Sequence, residues 1–412
     1  MKPVRFAQVG IGGFGRSHLH SITALEKEGL GKLDSVVIRS PKKYTNQIKE
    51  LSQRGVRILN SLEELLNNGG IDIIALPTGI QFHVPQTLKC VQTGYDVLCE
   101  KPIAAVIQEA DRMIAAEKET GRMIVIGYQA ISTPAIQKIK TRIIEEALGK
   151  IQSIHVKGGW PRDDIYYNRN TWAARLKDGD EWILDSPINN AFAHDLNNPL
   201  YLCGPTHQES ATPTSIQAEF YRARNIESLD TASLRILTTN GVKIVIALSH
   251  VTRENFNPSM VIKGENGTVH WSQDNGATTI TYFDGTKETF DNGGIDSHHF
   301  PFFNAVKAFR GQANVLCTPE NSRSQTICIN GAHECCPKIT KIPEKFIEEI
   351  YQNGPNGEKT RFLVVQGLDE LMHRSFDEGK LFSELNSEWS SSTEPFDLTD
   401  YEYFPSKTAS FY

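Results

Sequence analysis

Three groups of residues carry types and spacings that could do chemistry. The first is Glu100-Lys101-Pro102, which closes the apolar run Val97-Leu98-Cys99. Proline cannot donate to a sheet ladder, so it ends the strand and stiffens the turn. The residue before it is pushed to extended backbone, which sets how Lys101 leaves the sheet. Open α/β sheets bind ligands at the carboxyl ends of their strands, so a working ammonium belongs there. The second group is Gly10-Ile11-Gly12-Gly13-Phe14-Gly15, a G-x-G-x-x-G run between the strand Val4–Val9 and a helix from about Arg16. Gly10 suits a tight turn, Gly12 a close approach to a pyrophosphate, and Gly15 close helix–strand packing, with the helix N-terminus facing the anion. The third group follows the second strand, Ser35–Ile38, where sites specific for NAD place an Asp or Glu on the ribose. Here the chain reads Arg39-Ser40-Pro41-Lys42-Lys43, with no acid and three cations. Such groups pair with a 2′-phosphate, so the cofactor is expected to be NADP by preference, or NAD.

The elements that must hold these residues alternate strand and helix through about residue 127. Strands are expected at Val56–Leu59, Ile71–Leu76, Asp96–Cys99 and Met123–Gly127, with a capping box opening a helix at Ser61-Leu62-Glu63-Glu64. This is a doubly wound parallel sheet, an α/β Rossmann domain. Pro77, Thr78, His83, Lys101, Tyr128 and Gln129 fall near carboxyl ends of strands and are candidates to line the nicotinamide end of the cleft. From Ile216 apolar and polar residues alternate, with hairpin signals at Asn240-Gly241, Asn266-Gly267 and Asp284-Gly285. That predicts an α+β domain with a large, mostly antiparallel open sheet, one face of which is left available. Ahead of it, Trp160 to Trp172 is rich in aromatic, Arg, Asp and Asn residues. Such planar and aromatic groups suit a polyhydroxylated ligand, and Arg162, Asp163, Tyr166, Arg169, Asn170 and Trp172 are the candidates. A helix is expected around Ser186 to Leu202, putting Asn190 and His194 on one face.

The glycine loop, Pro77-Thr78 with His83, and Glu100-Lys101-Pro102 together resemble the glucose–fructose oxidoreductase / inositol dehydrogenase (Gfo/Idh/MocA) family, clearly over residues 1–150 and more loosely to about 340. The resemblance implies non-covalent NAD or NADP and hydride transfer at a hydroxyl or carbonyl carbon of a sugar, sugar derivative or cyclitol. It places Lys101 beside nicotinamide and substrate, as a catalytic base whose pKa burial and a nearby cation could lower. Glu100 would orient Lys101 or the nicotinamide ribose. His194 matches a family His by its distance to Gly204, whereas Asn190 stands where relatives carry Asp. Asn cannot take a proton, so proton transfer is expected from His194 or Lys101, with Asn190 positioning a substrate hydroxyl. A homo-oligomer, dimer or tetramer, is implied through the open sheet face. Two other readings remain open: a redox-assisted glycoside-cleaving enzyme that retains its cofactor, and a non-catalytic NADP- and sugar-sensing binding protein, for which Asn190 speaks.

A length of 412 residues suits two packed domains. The expected boundaries are 1–130 for cofactor and 131–342 for substrate and oligomerisation, with helix 321–336 a candidate to pack back on the first domain. A C-terminal extension covers 343–412, including a helix over Arg361–Glu378 and a tail docked by Tyr401, Tyr403, Phe404, Phe411 and Tyr412. A net charge of −6 gives no reason to expect nucleic acid or an anionic membrane as partner. No apolar run has membrane-span length, the N-terminus has no signal-peptide core, and seven scattered cysteines fit a cytoplasmic protein with reduced thiols. Cys317, Cys328, His333, Cys335 and Cys336 lack paired metal-ligand spacing and are read as buried groups. No site is read at His298-His299, and no metal is expected.

Overall fold

Short runs of Val, Ile, Leu and Ala, each followed by a helix, build the first unit. The computed structural model describes residues 2–354 and 357–406. The tail residues Phe411 and Tyr412 lie outside the described residues. The chain divides into Met1–Thr133 with Ile295–Arg323, and Pro134–Gly294 with Ser324–Tyr412. The return of 295–323 to the first unit is not visible in boundaries drawn at 130 and 342.

In unit 1 the order is β1 (Val4–Val9), α1 (Gly15–Lys27), β2 (Gly31–Val37), α2 (Thr45–Gln53), β3 (Arg57–Leu59) and α3 (Leu62–Asn68). It continues with β4 (Ile73–Leu76), α4 (Ile80–Gln92), β5 (Asp96–Cys99), α5 (Ile107–Thr120) and β6 (Ile124–Ile126). The sheet runs β3-β2-β1-β4-β5-β6, all parallel. Strands β4, β5 and β6 are buried throughout, as strands covered on both faces must be. The order reverses at β1, whose neighbours are β2 and β4, and ligands bind at such a switch point. Two local expectations change. Ser61 caps α3 by accepting from Glu64 N at 3.1 Å, but the Glu64 carboxylate accepts from Asn60 N rather than completing the box. Helix α4 opens at Ile80, so His83, expected only near a strand's carboxyl end, lies within the first turn of a helix.

Unit 2 starts with α6 (Pro134–Ile144), β7 (Ile151–Gly159), α7 (Asp164–Tyr167), the short β8 (Lys177–Asp178) and β9 (Glu181–Trp182), and α8 (Ala193–Leu202). Then come β10 (Pro213–Arg222), β11 (Thr231–Thr238), β12 (Lys243–Ser249), β13 (Phe256–Gly264), β14 (Gly267–Ser272), β15 (Thr278–Tyr282) and β16 (Lys287–Phe290). After α9 (Phe300–Phe309) and α10 (Pro319–Cys335) the chain adds β17 (Thr340–Lys341), β18 (Ile347–Asn353), β19 (Lys359–Val365), α11 (Leu368–Glu378) and β20 (Phe396–Asp397). The large sheet runs β16-β15-β14-β13-β7-β12-β11-β10-β17 and is antiparallel except at β7–β12 and β10–β17.

The expected helix Arg361–Glu378 begins as strand and turns helical only from Leu368. Thr360 to Val365 belongs to β19, paired with β18, and Gly367 at φ +73° ends the strand and starts α11. Helix α11 and the tail then cover part of the sheet face that the sequence reading left available to a second copy. Lys157 Nζ meets His373 Nδ1 at 2.7 Å, and His155 Nδ1 donates to Phe376 O at 2.7 Å. Leu368, Met372, Phe382 and Trp389 pack with Tyr221 and Ala247. Gln217 donates to Thr393 O at 2.6 Å, Tyr401 Oη donates to Glu334 at 2.9 Å, and Phe404 is fully buried.

All seven cysteines are free, and all but Cys335 are buried. His333 lies between Phe220 and Phe404 at ring distances of 5.0 and 6.4 Å, and neither ring nitrogen has a hydrogen-bond partner among the described residues. Burial pushes its pKa down to about 3. A base neutral in the native state and ordinary when unfolded gives stability that is complete above about pH 6.5 and lost as pH falls through the unfolded value. Between pH 7 and pH 5 the native protein should therefore lose about 2 kcal/mol more than His333→Leu in urea unfolding. Equal losses in the two proteins would contradict this.

Candidate active site

The glycine loop joins β1 to α1 at the switch point. Gln8 braces it from below, its Nε2 donating to Gly10 O at 2.7 Å and Gly15 O at 2.8 Å, while Gly10 N donates to Val37 O at 2.9 Å. A Cβ at Gly15 would stand 2.7 Å from Gly10 O, so α1 could not sit this close to the loop with any other residue. The Tyr44 hydroxyl occupies the place a Gly12 side chain would take. No acid lies in the first turn of α1, which leaves the dipole available to an anion. Beyond β2, Arg39, Ser40, Lys42 and Lys43 are exposed, with Arg39 over the Phe82 ring at 5.1 Å. Asp34, the nearest preceding acid, is taken by Arg5 and Arg57, and none of the three cations is in an ion pair among the described residues. Residues Gly10 to Gly15 thus fit a dinucleotide, bare backbone next to a helix start.

The Glu100 turn is held from two sides. Glu100 Oε1 meets His18 Nε2 on α1 at 2.8 Å, and both residues are buried. Its other oxygen accepts from Lys101 N at 3.1 Å. Burial works to raise the Glu100 pKa, but the His18 hydrogen bond and charge, with Lys101, outweigh it and hold the carboxyl below its usual value. From α4, His83 sets Nδ1 2.7 Å from Pro102 O and Nε2 3.1 Å from Thr78 O. Burial lowers the His83 pKa, so the ring is neutral and can donate to only one carbonyl, with Pro102 at the shorter distance. His83 and Glu100 are therefore committed to holding the turn. Lys101, Pro77 and Thr78 are half-buried, with Thr78 Oγ1 donating to Gln86 at 2.9 Å. Gln129 is half-buried where a 3₁₀ turn follows β6, and Tyr128 beside it is buried.

In unit 2 the segment after β7 builds an arginine–aromatic wall. Arg162 lies over Trp160 at 5.4 Å and Tyr166 at 5.0 Å, and Arg169 lies over Tyr166 at 3.9 Å and Trp172 at 5.5 Å. Trp160 stacks on Phe192 at 4.5 Å. Asp163 and Asn170 are spent on the backbone: Asp163 caps α7 at Tyr166 N, and Asn170 Oδ1 accepts from Trp172 N and Ala173 N. Asn190 and His194 do not share a helix face. A 3₁₀ turn at Pro187–Asn189 ends at Asn190 (φ −131°, ψ −83°), and α8 begins only at Ala193. Proline starts the first turn but nothing continues it, so the segment breaks between the two residues.

Two residues here were not read from the sequence. Asp185 is buried and accepts from Asn190 Nδ2 at 2.7 Å and Ala174 N at 2.6 Å, with Arg169 at 3.6 Å. A carboxylate thus lies directly beside Asn190. Its only sequence signal is the closely preceding Asp185-Ser186-Pro187. His250 is buried, meets Tyr167 Oη at 3.2 Å through Nδ1, and its Nε2 has no partner among the described residues. Burial foremost, then the charges of Arg162, Arg169 and Arg224, keep it neutral.

A parallel sheet with a glycine loop at its switch point makes unit 1 a dinucleotide-binding Rossmann domain. Residues 4–128 match the family profile described as "Oxidoreductase family, NAD-binding Rossmann fold", and residues 136–270 match "GFO/IDH/MocA C-terminal domain". The two matches cover more than half of the chain, which belongs to the Gfo/Idh/MocA family. Among curated relatives, inositol 2-dehydrogenase 2 of Saccharopolyspora erythraea is 24% identical over 47% of this chain and 52% of its own length. The D-xylose 1-dehydrogenase [NADP(+)] of Haloarcula marismortui is 24% identical over 53% and 59%. The 1,5-anhydro-D-fructose reductase of Ensifer adhaerens is 29% identical over 22% and 28%. Each alignment spans less than two thirds of the relative. The WlbA dehydrogenase of Bordetella pertussis, solved with NADH and UDP-GlcNAcA, shares the fold at TM-score 0.67 and 23% identity, over 81% of this chain and 97% of that one. No helix among the described residues is long and apolar enough to cross a membrane.

Proposed function

We propose that the protein is a nicotinamide-dependent oxidoreductase acting on a hydroxyl or carbonyl carbon of a sugar, sugar derivative or cyclitol, with Lys101 as its proton-transfer residue. The observation that carries this reading is Lys101 at the carboxyl end of β5, on a turn fixed by the buried Glu100–His18 pair and by His83. Bound at the glycine loop, a nicotinamide dinucleotide supplies hydride transfer. Lys101 takes the hydroxyl proton in oxidation and returns it in reduction. Glu100 positions Lys101 through the backbone and His83 fixes the same turn. On this reading Arg162, Tyr166, Arg169 and Trp172 supply groups suited to a carbohydrate, Asn190 is oriented by Asp185, and His194 is the second candidate proton carrier. The arginine–aromatic wall, with Arg162 in no ion pair among the described residues, supports a ligand rich in hydroxyl or other acceptor groups. The names of the inositol, xylose and anhydrofructose relatives agree with that chemistry.

The unpaired Arg39, Lys42 and Lys43 support NADP(H) over NAD(H). Arg39→Asp should move the ratio of NADPH to NADH affinities toward NADH by about tenfold or more, read by cofactor fluorescence titration. An unchanged ratio removes Arg39 from the preference. With a turned-over sugar in hand, Lys101→Met should lower kcat by at least about a hundredfold while NADPH affinity stays within a few fold. Full turnover by this variant would refute the assignment.

A further inference from the structure

We propose that unit 1 carries a divalent-cation site of the zinc type, made by His20, Asp296 and His299, apart from the dinucleotide loop and the Lys101 turn. Each of the three residues offers one ligand atom, and the three atoms lie within 4.8 Å of one another. His299 Nε2 and Asp296 Oδ2 are 3.7 Å apart, too far for a hydrogen bond. Two ligands of one tetrahedral zinc, each about 2.0 to 2.1 Å from the metal, stand roughly 3.4 Å apart, so this pair needs a shift of only a few tenths of an ångström. The His20 and His299 rings meet nearly edge-on, centroids 5.1 Å apart, which brings two imidazoles together beside the Asp296 carboxylate.

The surroundings fix this geometry independently of any ion. Asp296 Oδ1 accepts from His298 Nδ1 at 2.6 Å and His298 N at 3.0 Å, which aims its second oxygen toward His299. Hydrogen bonds of this kind orient the carboxylate ligands of metal sites. Ser21 Oγ on α1 donates to His298 O at 3.1 Å, and the Phe14 and His298 rings lie 5.5 Å apart. The segment that brings the chain back into unit 1 is thus pinned at Ser21, next to His20, and at Phe14, just ahead of α1. Two imidazoles and one carboxylate are borderline donors that select zinc, cobalt or nickel over magnesium or calcium. A fourth position is left to water or a further ligand. Bound there, the cation would staple the Asp296–His299 turn to the helix that follows the glycine loop, a structural task distinct from hydride transfer.

Untagged, chelator-treated full-length protein titrated with zinc chloride by calorimetry tests this. One equivalent should bind, unaffected by excess magnesium, and saturation should raise the melting temperature by roughly 3 °C or more. Cobalt should give the visible absorption of a tetrahedral centre. His20→Ala, at an exposed position that spares the core, and His299→Ala should each weaken binding by at least about tenfold. No equivalent bound more tightly than roughly 0.1 mM, or binding unchanged in both variants, would overturn the site.

Discussion

The site depends on the buried pair between His18 and Glu100. It ties the helix that follows the glycine loop to the end of the strand that delivers Lys101. Removing one member of such a pair leaves a buried polar or charged group without its partner, at a cost of about 3–5 kcal/mol. His83 adds a second tie from α4, its ring lying between the carbonyls of Thr78 and Pro102 with its single N–H given to Pro102. Three turns at the carboxyl edge of one sheet are thereby held as one piece. A hydride donor and a proton carrier must be placed to within a fraction of an ångström, and rigid support of this kind is what supplies that placement.

The parts of the chain that were legible in sequence are those whose cause is local. The glycine loop is readable because its spacing answers to one turn, one close approach and one helix start. Strands β4 to β6 are readable because burial on both faces demands continuous apolar runs. The partners that fix the site are not readable this way. His18 and Glu100 are 82 residues apart, and only the fold brings them together. Asp185 and His250 were missed for the same reason, since buried polar residues in a loop and at a strand end show no periodicity. The helix expected through Asn190 and His194 failed because three residues of 3₁₀ turn and ten of α-helix share one apolar pattern across a break. In the C-terminal segment, the apolar, β-branched run through Phe362 to Val365 belongs to a strand, and Gly367 is the punctuation that separates it from α11.

That C-terminal segment also changes what the large sheet offers. The face over β7, β12 and β10 meets this chain's own α11 and tail, through Lys157, His155, Glu219 and Gln217. The hairpin of β18 and β19 adds Arg361, which shares Asp164 with Arg224 beside the arginine–aromatic wall. The extension thus braces the segment to which the carbohydrate is assigned.

The most direct test of the central claim is isotope transfer. The protein is incubated with NADPH carrying deuterium at C4 of the nicotinamide, in separate samples for each face, together with a panel of keto sugars and oxidised cyclitols. One product is expected to gain a single deuterium at a carbinol carbon, from one face only, as read by mass spectrometry and NMR. Unlabelled products across the panel, or a sugar cleaved with no net oxidation of NADPH, would contradict it.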